Sequence, residues 1–149
     1  MMSAMDETPK VTGPAVAGYS GTPLARKLGI KPGHTVATID EPEGFRSLLV
    51  DLPASADLGG ALDDAPDVVI AFYTERVRLE SDLASLADAV FPDRALWLAW
   101  PKRSSKVDTD LTGDIVRATV LTTRLVDVKV CAISDIWSGL KVVWRKEHR

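Results

Sequence analysis

The segment Gly29-Ile-Lys-Pro-Gly-His-Thr-Val-Ala-Thr-Ile-Asp-Glu-Pro-Glu-Gly-Phe45 carries the clearest signal of the fold in this chain. It predicts a turn, a short buried strand over 36–39, a loop and the start of a helix. In an α/β sheet such a loop often meets phosphate or adenosine, and it is then rich in glycine because the ligand touches backbone. The loop here, Asp40-Glu-Pro-Glu-Gly44, has one glycine, one proline and three carboxylates. The stretch therefore predicts a fold class and not a function.

Strands and helices alternate along the rest of the chain. Buried strands are expected from continuous apolar runs, helices from apolar residues three and four apart, and hairpin strands from apolar residues in alternation. The predicted elements are strands over 67–73 and 95–100, helices over 22–28, 45–52, 79–90 and 111–123, and a terminal hairpin of 126–132 with 140–144. This order predicts a three-layer, Rossmann-like α/β sheet that is mostly parallel, with a C-terminal antiparallel hairpin.

Three local features complete this prediction. Residues 54–65 are mostly loop, with a weak edge strand around 56–58. Trp97 and Trp100 lie three apart on one strand, so they face opposite sides of the sheet. Either Thr109 or Asp110 is expected to cap the helix over 111–123.

Length and composition predict one domain. A chain of 149 residues with 46% hydrophobic content builds one core and is too short for two. Residues 1–17 are polar and without periodicity, which predicts a disordered N-terminal tail before a single α/β domain over 18–149. One cysteine provides neither a disulfide framework nor a zinc quartet, which fits a cytoplasmic protein.

Charge and hydropathy exclude two classes of partner. A net charge of −3 and a pI near 5.4 argue against nucleic-acid binding, which requires a basic surface. The N-terminus lacks the basic segment and apolar run of a secretory signal, and no apolar stretch is long enough to span a bilayer. No membrane association is therefore expected, and the oligomeric state stays open.

Several phrases resemble those of a shortened class I methyltransferase fold. They are Leu28-Gly-Ile-Lys-Pro-Gly33, Pro66-Asp-Val-Val-Ile70 and Phe91-Pro-Asp-Arg-Ala-Leu-Trp-Leu98, followed by the closing hairpin. The resemblance covers most of residues 28–145 and implies S-adenosylmethionine as a cofactor, held by Asp40, Glu41 and Gly44. The glycine motif that would bring the cofactor to backbone is absent, and no acid clearly takes the place of the ribose-binding carboxylate. Asp57, Asp63 and Asp64 are candidates for it by loose position only. Cofactor binding in the usual mode is therefore not expected.

A second resemblance spans nearly the whole chain from residue 18. It is carried by Gly18-Tyr-Ser-Gly-Thr-Pro-Leu24, Trp97-Leu-Ala-Trp-Pro-Lys102, Leu125-Val-Asp-Val-Lys-Val-Cys131 and Trp137-Ser-Gly-Leu140. Together these phrases are similar to a family of short bacterial proteins, of actinobacterial type, described as a domain of unknown function. The resemblance implies a truncated methyltransferase-like fold in a cytoplasmic protein, and no activity.

The leading candidate site is the charged loop after the strand over 95–100. Its polar residues are Lys102, Arg103, Ser104, Ser105, Lys106, Asp108 and Asp110. Three cations before a helix start, at the sheet edge where α/β proteins bind ligands, suit an anion such as phosphate. The alternative is a solvated loop whose aspartates offset the positive charge.

Two further clusters have a functional and a structural interpretation. Tyr19 and Ser20, with Thr22, place hydroxyls at a helix start, where they contact a ligand or simply cap the helix. Trp137, expected in the hairpin turn, marks a ligand or partner surface or folds back over the sheet.

The remaining polar residues predict no catalytic or metal site. The carboxylates of residues 40–43 are explained by the positive start of a helix more simply than by a divalent cation. Cys131, in mid-strand, is expected to be an inert thiol, and no Ser–His–Asp set is apparent. The basic chain end from Lys141 is expected to blunt strand pairing at a sheet edge.

These observations favour a non-catalytic or regulatory protein. It would bind a protein partner or a small anionic ligand at a degenerate nucleotide-type pocket. The alternative is an S-adenosylmethionine-dependent methyltransferase-like enzyme with an atypical cofactor site, and a third possibility is a structural subunit. No cofactor is expected under the leading interpretation.

Overall fold

A five-stranded mixed sheet frames the computed structural model, which describes residues 22–149. The strands are β1 (Val36–Ile39), β2 (Val68–Phe72), β3 (Ala95–Pro101), β4 (Leu125–Ala132) and β5 (Trp137–Trp144). Their order in the sheet is β1-β2-β3-β5-β4. The β1–β2 and β2–β3 pairs are parallel, and β5 is antiparallel to both β3 and β4. The predicted α/β sheet with a terminal antiparallel hairpin is confirmed.

Helices and loops cover both faces of this sheet. The helices are α1 (Leu24–Lys27), α2 (Arg76–Val90) and α3 (Gly113–Leu121). Buried residues of α2 and α3 pack on one face, whereas Ala25 of α1, Leu28 just after it, and Phe45 and Leu49 after β1 pack on the other. None of the helices in residues 22–149 combines the length and the apolar character needed to cross a membrane.

The tryptophans of β3 show how the strand is buried on two sides. Trp97 lies in the core beneath α1, and Trp100 lies in the core beneath α2 and α3, as their spacing predicts. The Trp97 indole N–H donates to the carbonyl of Leu28 at 3.0 Å, which satisfies its only polar group inside the core.

The helix predicted over 45–52 is wrong. Only one 3₁₀ turn forms there, at Arg46–Leu48. Gly44 has a φ of 86° and Pro53 follows closely, so the interval is too short to recover the cost of helix nucleation. Residues 56–58 form no strand and contact the sheet through one bridge, between Asp57 and Thr35. Because Thr35 precedes β1, the rest of β1 is an edge strand.

The residues expected to cap α3 serve α2 instead. The Thr109 hydroxyl donates to the carbonyl of Thr74 at 2.6 Å, and Asp110 accepts from the backbone N–H of Arg76 at 2.7 Å. These bonds fasten the loop after β3 to the start of α2. The cap of α3 is Thr112, whose hydroxyl accepts from a backbone N–H in the first turn.

The terminal hairpin differs from its prediction in three respects. Trp137 is the first residue of β5 rather than part of the turn. A register shift between Asp127 and Lys129 leaves Val128 bulged, so the regular alternation ends there and Val128 and Val130 are each 51% exposed. Because β5 lies between β3 and β4, the edge at this end of the sheet belongs to β4, and the basic chain end does not blunt it.

Candidate functional site

The loops that follow β1, β2, β3 and β4 meet at one edge of the sheet. These four strands run in the same direction, because β5 is antiparallel to both of its neighbours. In open α/β sheets, ligands bind outside the carboxyl ends of the strands. We call this side of the molecule the carboxyl edge.

A recess of about 260 Å³ opens at the carboxyl edge. Its walls are residues 42–45 and Leu48 on one side and residues 133–137 on the other. We call it the carboxyl-edge pocket. The lining is mainly apolar, with Glu43 and Asp135 among its polar members.

An aromatic row supports this pocket. Phe72, at the end of β2, contacts Phe45 and Trp137 edge to face, with ring centroids 5.1 and 5.2 Å apart. Trp137 therefore folds back over the sheet and also lines the pocket, so the two interpretations of this residue are compatible.

Two carboxylates of the loop after β1 are engaged by neighbouring side chains from the loop, from β1 and from α2. Glu41 accepts from Nε of Arg46 at 2.9 Å and from the hydroxyl of Thr38 at 2.6 Å. Asp40 has a φ of 52° and pairs with Arg78 at 3.5 Å. The positive φ of Gly44 by itself accounts for a glycine there. Asp40, Glu41 and Gly44, which the methyltransferase resemblance implies as cofactor ligands, therefore have structural roles in this loop.

The Glu41–Arg46 pair makes stability depend on pH. The hydrogen bond from Arg46 is the main reason why the pKa of Glu41 lies below its ordinary value of 4.5. A carboxylate with a lowered pKa in the folded state stabilises the fold above its unfolded pKa and loses that contribution as the pH falls through the folded value.

We expect Glu41→Gln to lower the free energy of unfolding near neutral pH by less than about 1 kcal/mol, because the pair is partly exposed. Below pH 4.5, the ordinary pKa of this carboxyl, the difference from the unmodified protein should shrink. Urea unfolding over a series of pH values measures both effects, with the exposed Asp51→Asn as control. A difference that stays constant with pH would contradict the assignment.

The acids considered for a ribose contact lie away from the pocket. Asp57 pairs with Thr35, the residue before β1, and its carboxylate accepts from the N–H of Gly59 at 2.8 Å. Asp63 and Asp64 form a 3₁₀ turn shortly before β2 begins. These three residues thus lie near the strand starts, at the edge opposite the pocket.

The loop after β2 carries a buried phenol. The Tyr73 hydroxyl donates to Asp82 at 2.7 Å. Burial, together with this bond, raises the pKa of Tyr73 far above its usual range. The phenol therefore stays protonated near neutral pH and acts in the structure as a hydrogen-bond donor.

The charged loop after β3 is attached to the pocket wall. The backbone N–H of Lys102 donates to the carbonyl of Ile136 at 2.7 Å. Arg103, Ser104 and Lys106 are exposed, and within residues 22–149 no ion pair engages Lys102, Arg103 or Lys106. Asp108 is also exposed, whereas Asp110 is used at the start of α2.

Sequence reasoning did not find half of the pocket. The turn over 133–136 and the support from Phe72 come from distant parts of the chain, and neither carries a motif.

Tyr19 and Ser20 lie outside the described residues, as does the predicted tail. In the described part of the chain, no group of three or more His, Cys, Asp or Glu side chains is placed to hold a metal ion.

Comparison with known proteins identifies the fold. No protein-family model and no curated protein matches the chain. Among solved structures it is similar to a "putative type 11 methyltransferase" from Sulfolobus solfataricus, with 9% identity, 83% of this chain and 90% of that one covered, and a TM-score of 0.54. It is also similar to the pyocyanin biosynthetic protein PhzM, with 9% identity, 82% and 53% covered, and a TM-score of 0.51.

These similarities concern the fold alone. The chain spans about half of PhzM, at 53% of its length. Membership of the short bacterial family of unknown function stays a prediction. The fold itself is Rossmann-like and corresponds to a truncated class I methyltransferase fold.

Proposed function

We propose that this protein is a non-catalytic, regulatory binding module for a small anionic ligand with an apolar or aromatic portion. The observation that carries the proposal is the hydrogen bond between Lys102 and Ile136. It joins the cationic loop after β3 to the turn that lines the carboxyl-edge pocket.

The two halves of this site suit two parts of one ligand. Phe45, Leu48 and Trp137 offer an apolar recess, whereas Lys102 and Arg103 offer charges that pair with phosphate or carboxylate. Glu43 lines the recess and would repel an anion inside it. The apolar portion therefore enters the pocket, and the anionic group lies outside it, toward the loop after β3.

The size of the recess favours a small molecule over a protein partner at this edge. Protein interfaces bury on the order of 800 Å² on each partner and are mostly broad surfaces. The carboxyl-edge pocket has a volume of only about 260 Å³, slightly below the range of about 300–1,000 Å³ typical of small-molecule sites, so it suits part of a small ligand better than a protein surface.

A methyltransferase-like enzyme with an atypical cofactor site is the second candidate. It is favoured by the position of the pocket beside the loop after β1, together with the fold. Against it, Glu41 is engaged by Arg46, and Asp57, Asp63 and Asp64 lie near the opposite edge.

Calorimetric titration with S-adenosylmethionine distinguishes the two candidates. Under the leading proposal, the titration gives no binding heat even at about millimolar ligand. Micromolar binding would favour the enzyme instead.

Thermal-shift measurements test the leading proposal with three probes: inorganic phosphate, adenosine monophosphate and acetyl coenzyme A. We expect stabilisation by a probe that combines an anion with an apolar or aromatic part. The variant Lys102→Ala/Arg103→Ala should weaken that probe by about tenfold or more, because each charge-assisted hydrogen bond contributes about 1.5–3 kcal/mol.

The matched control is Arg124→Ala/Lys146→Ala, which removes two exposed cations elsewhere. It should leave the shift unchanged. Equal effects of the two double variants, or no stabilisation by any of the three probes, would refute the proposed site.

A further inference from the structure

Two lysines lie directly opposite each other on the sheet face that α1 partly covers. Lys129 of β4 and Lys141 of β5 are register partners. Their side chains share a face with Cys131 and Trp137, which pack against the core on the α1 side. Like charges in directly opposite positions on a sheet destabilise it, so this pair has an energetic cost.

The end of α1 brings two more lysines to this pair. Trp97 is the register partner of Lys141 on β3, and its indole bonds the carbonyl of Leu28 just after α1. Lys27 directly precedes Leu28 and Lys31 follows it three residues later, so this bond brings both toward the sheet face that carries Lys141 and Cys131. We call Lys27, Lys31, Lys129 and Lys141 together the lysine face.

Electrostatic effects support this grouping. Burial lowers the pKa of Lys141, and the charges of Lys129 and Lys31 lower it further. The charges of Lys27 and Lys129 likewise act on the thiol of Cys131, whose pKa is raised by burial. Within residues 22–149, the charges that act on Lys141 are thus positive. This concentration contrasts with the net charge of −3 of the whole chain.

The surroundings of the lysine face suit a peptide better than free phosphate. Val126 and Val143 are register partners on the same face and are only half-buried. The backbone N–H groups of β5 are used by β3 and β4, so they offer no cradle of the kind that binds phosphate at loops and helix starts. The bulge at Val128 also interrupts the free edge of β4, which disfavours docking by addition of a strand.

We propose that the lysine face is a docking surface for an acidic segment of a partner protein. Carboxylates of the partner would pair with Lys129 and Lys141 and relieve their mutual repulsion. Apolar side chains of the same segment would cover Val126 and Val143. This surface is separate from the carboxyl-edge pocket and does not depend on the function proposed for it.

The test uses labelled poly-L-glutamate as the acidic probe, with affinity measured by fluorescence anisotropy at low salt. The variant Lys129→Gln/Lys141→Met removes both charges and keeps an apolar stem at the half-buried position. We expect it to bind the probe about tenfold more weakly, since two charge contacts of about 0.7 kcal/mol each are lost. We also expect it to unfold at the same urea concentration or a higher one, because the like-charge pair is gone.

The control variant Arg124→Gln/Lys146→Gln removes two exposed positive charges that belong to neither site and should bind the probe within about twofold of the unmodified protein. Equal weakening by both variants would show that the probe responds to positive charge anywhere on the protein and not to the lysine face, and it would overturn the proposal. Absence of probe binding would overturn it too. Tighter binding to phosphatidylserine vesicles or to duplex DNA than to poly-L-glutamate would assign the lysine face to another class of partner.

Discussion

Replacing Trp97 with alanine should lower the free energy of unfolding by about 3–5 kcal/mol, the usual cost of removing a large buried aromatic side chain. Trp97 is fully buried, at 0% exposure, and lies in the middle of β3 between the register partners Ile70 and Lys141. Its loss also leaves the carbonyl of Leu28 without its donor, so α1 loses its hydrogen bond to the sheet.

Urea unfolding of three variants separates these contributions. Trp97→Phe keeps most of the packing and removes the hydrogen bond, and we expect a loss of about 1–2 kcal/mol from the unpaired carbonyl and the smaller ring. Leu121→Ala, at a residue that is 45% exposed, is the control and should cost less than about 1 kcal/mol. A cost for Trp97→Ala no larger than that of the control would mean that α1 is not anchored through this residue.

The central strands were predictable because strands buried on both faces consist of consecutive apolar residues. All five residues of β2 are buried, and the apolar run over 67–73 shows this directly. The same holds for β3, where the spacing of Trp97 and Trp100 also predicts which core each enters. Helix α2 is predictable from its leucine spacing, although it begins at Arg76, earlier than that spacing indicates.

The helix over 45–52 fails for a local reason, between Gly44 and Pro53, whereas the other errors arise from contacts between distant residues. The bond from Asp110 to Arg76 spans 34 residues and places an expected cap of α3 at the start of α2 instead. The bulge at Val128 depends on how β4 pairs with β5, and no residue type marks it. The carboxyl-edge pocket likewise exists only because the turn over 133–136 faces residues 42–45 across the sheet.

Replacing Phe72 with alanine should destabilise both the fold and the carboxyl-edge pocket. Phe72 is 2% exposed and contacts both Phe45 and Trp137, which line the two sides of the carboxyl-edge pocket. We expect a loss of about 3–5 kcal/mol in the free energy of unfolding from the cavity left beneath them. The pocket walls would then lose their common support, so the affinity for any ligand bound there should fall as well.

The control variant Phe91→Ala distinguishes support of the pocket from the stability that any partly buried aromatic ring contributes. Phe91 also makes one edge-to-face contact, with Trp144 at 4.8 Å, but it is 43% exposed and remote from the pocket. Phe91→Ala should therefore cost less than about 2 kcal/mol and leave ligand affinity unchanged. Phe72→Leu keeps an apolar side chain in the core while removing both ring contacts. If Phe72→Leu folds stably and still binds as the unmodified protein does, the aromatic row does not shape the pocket, and the ligand is held by the loop after β3 alone.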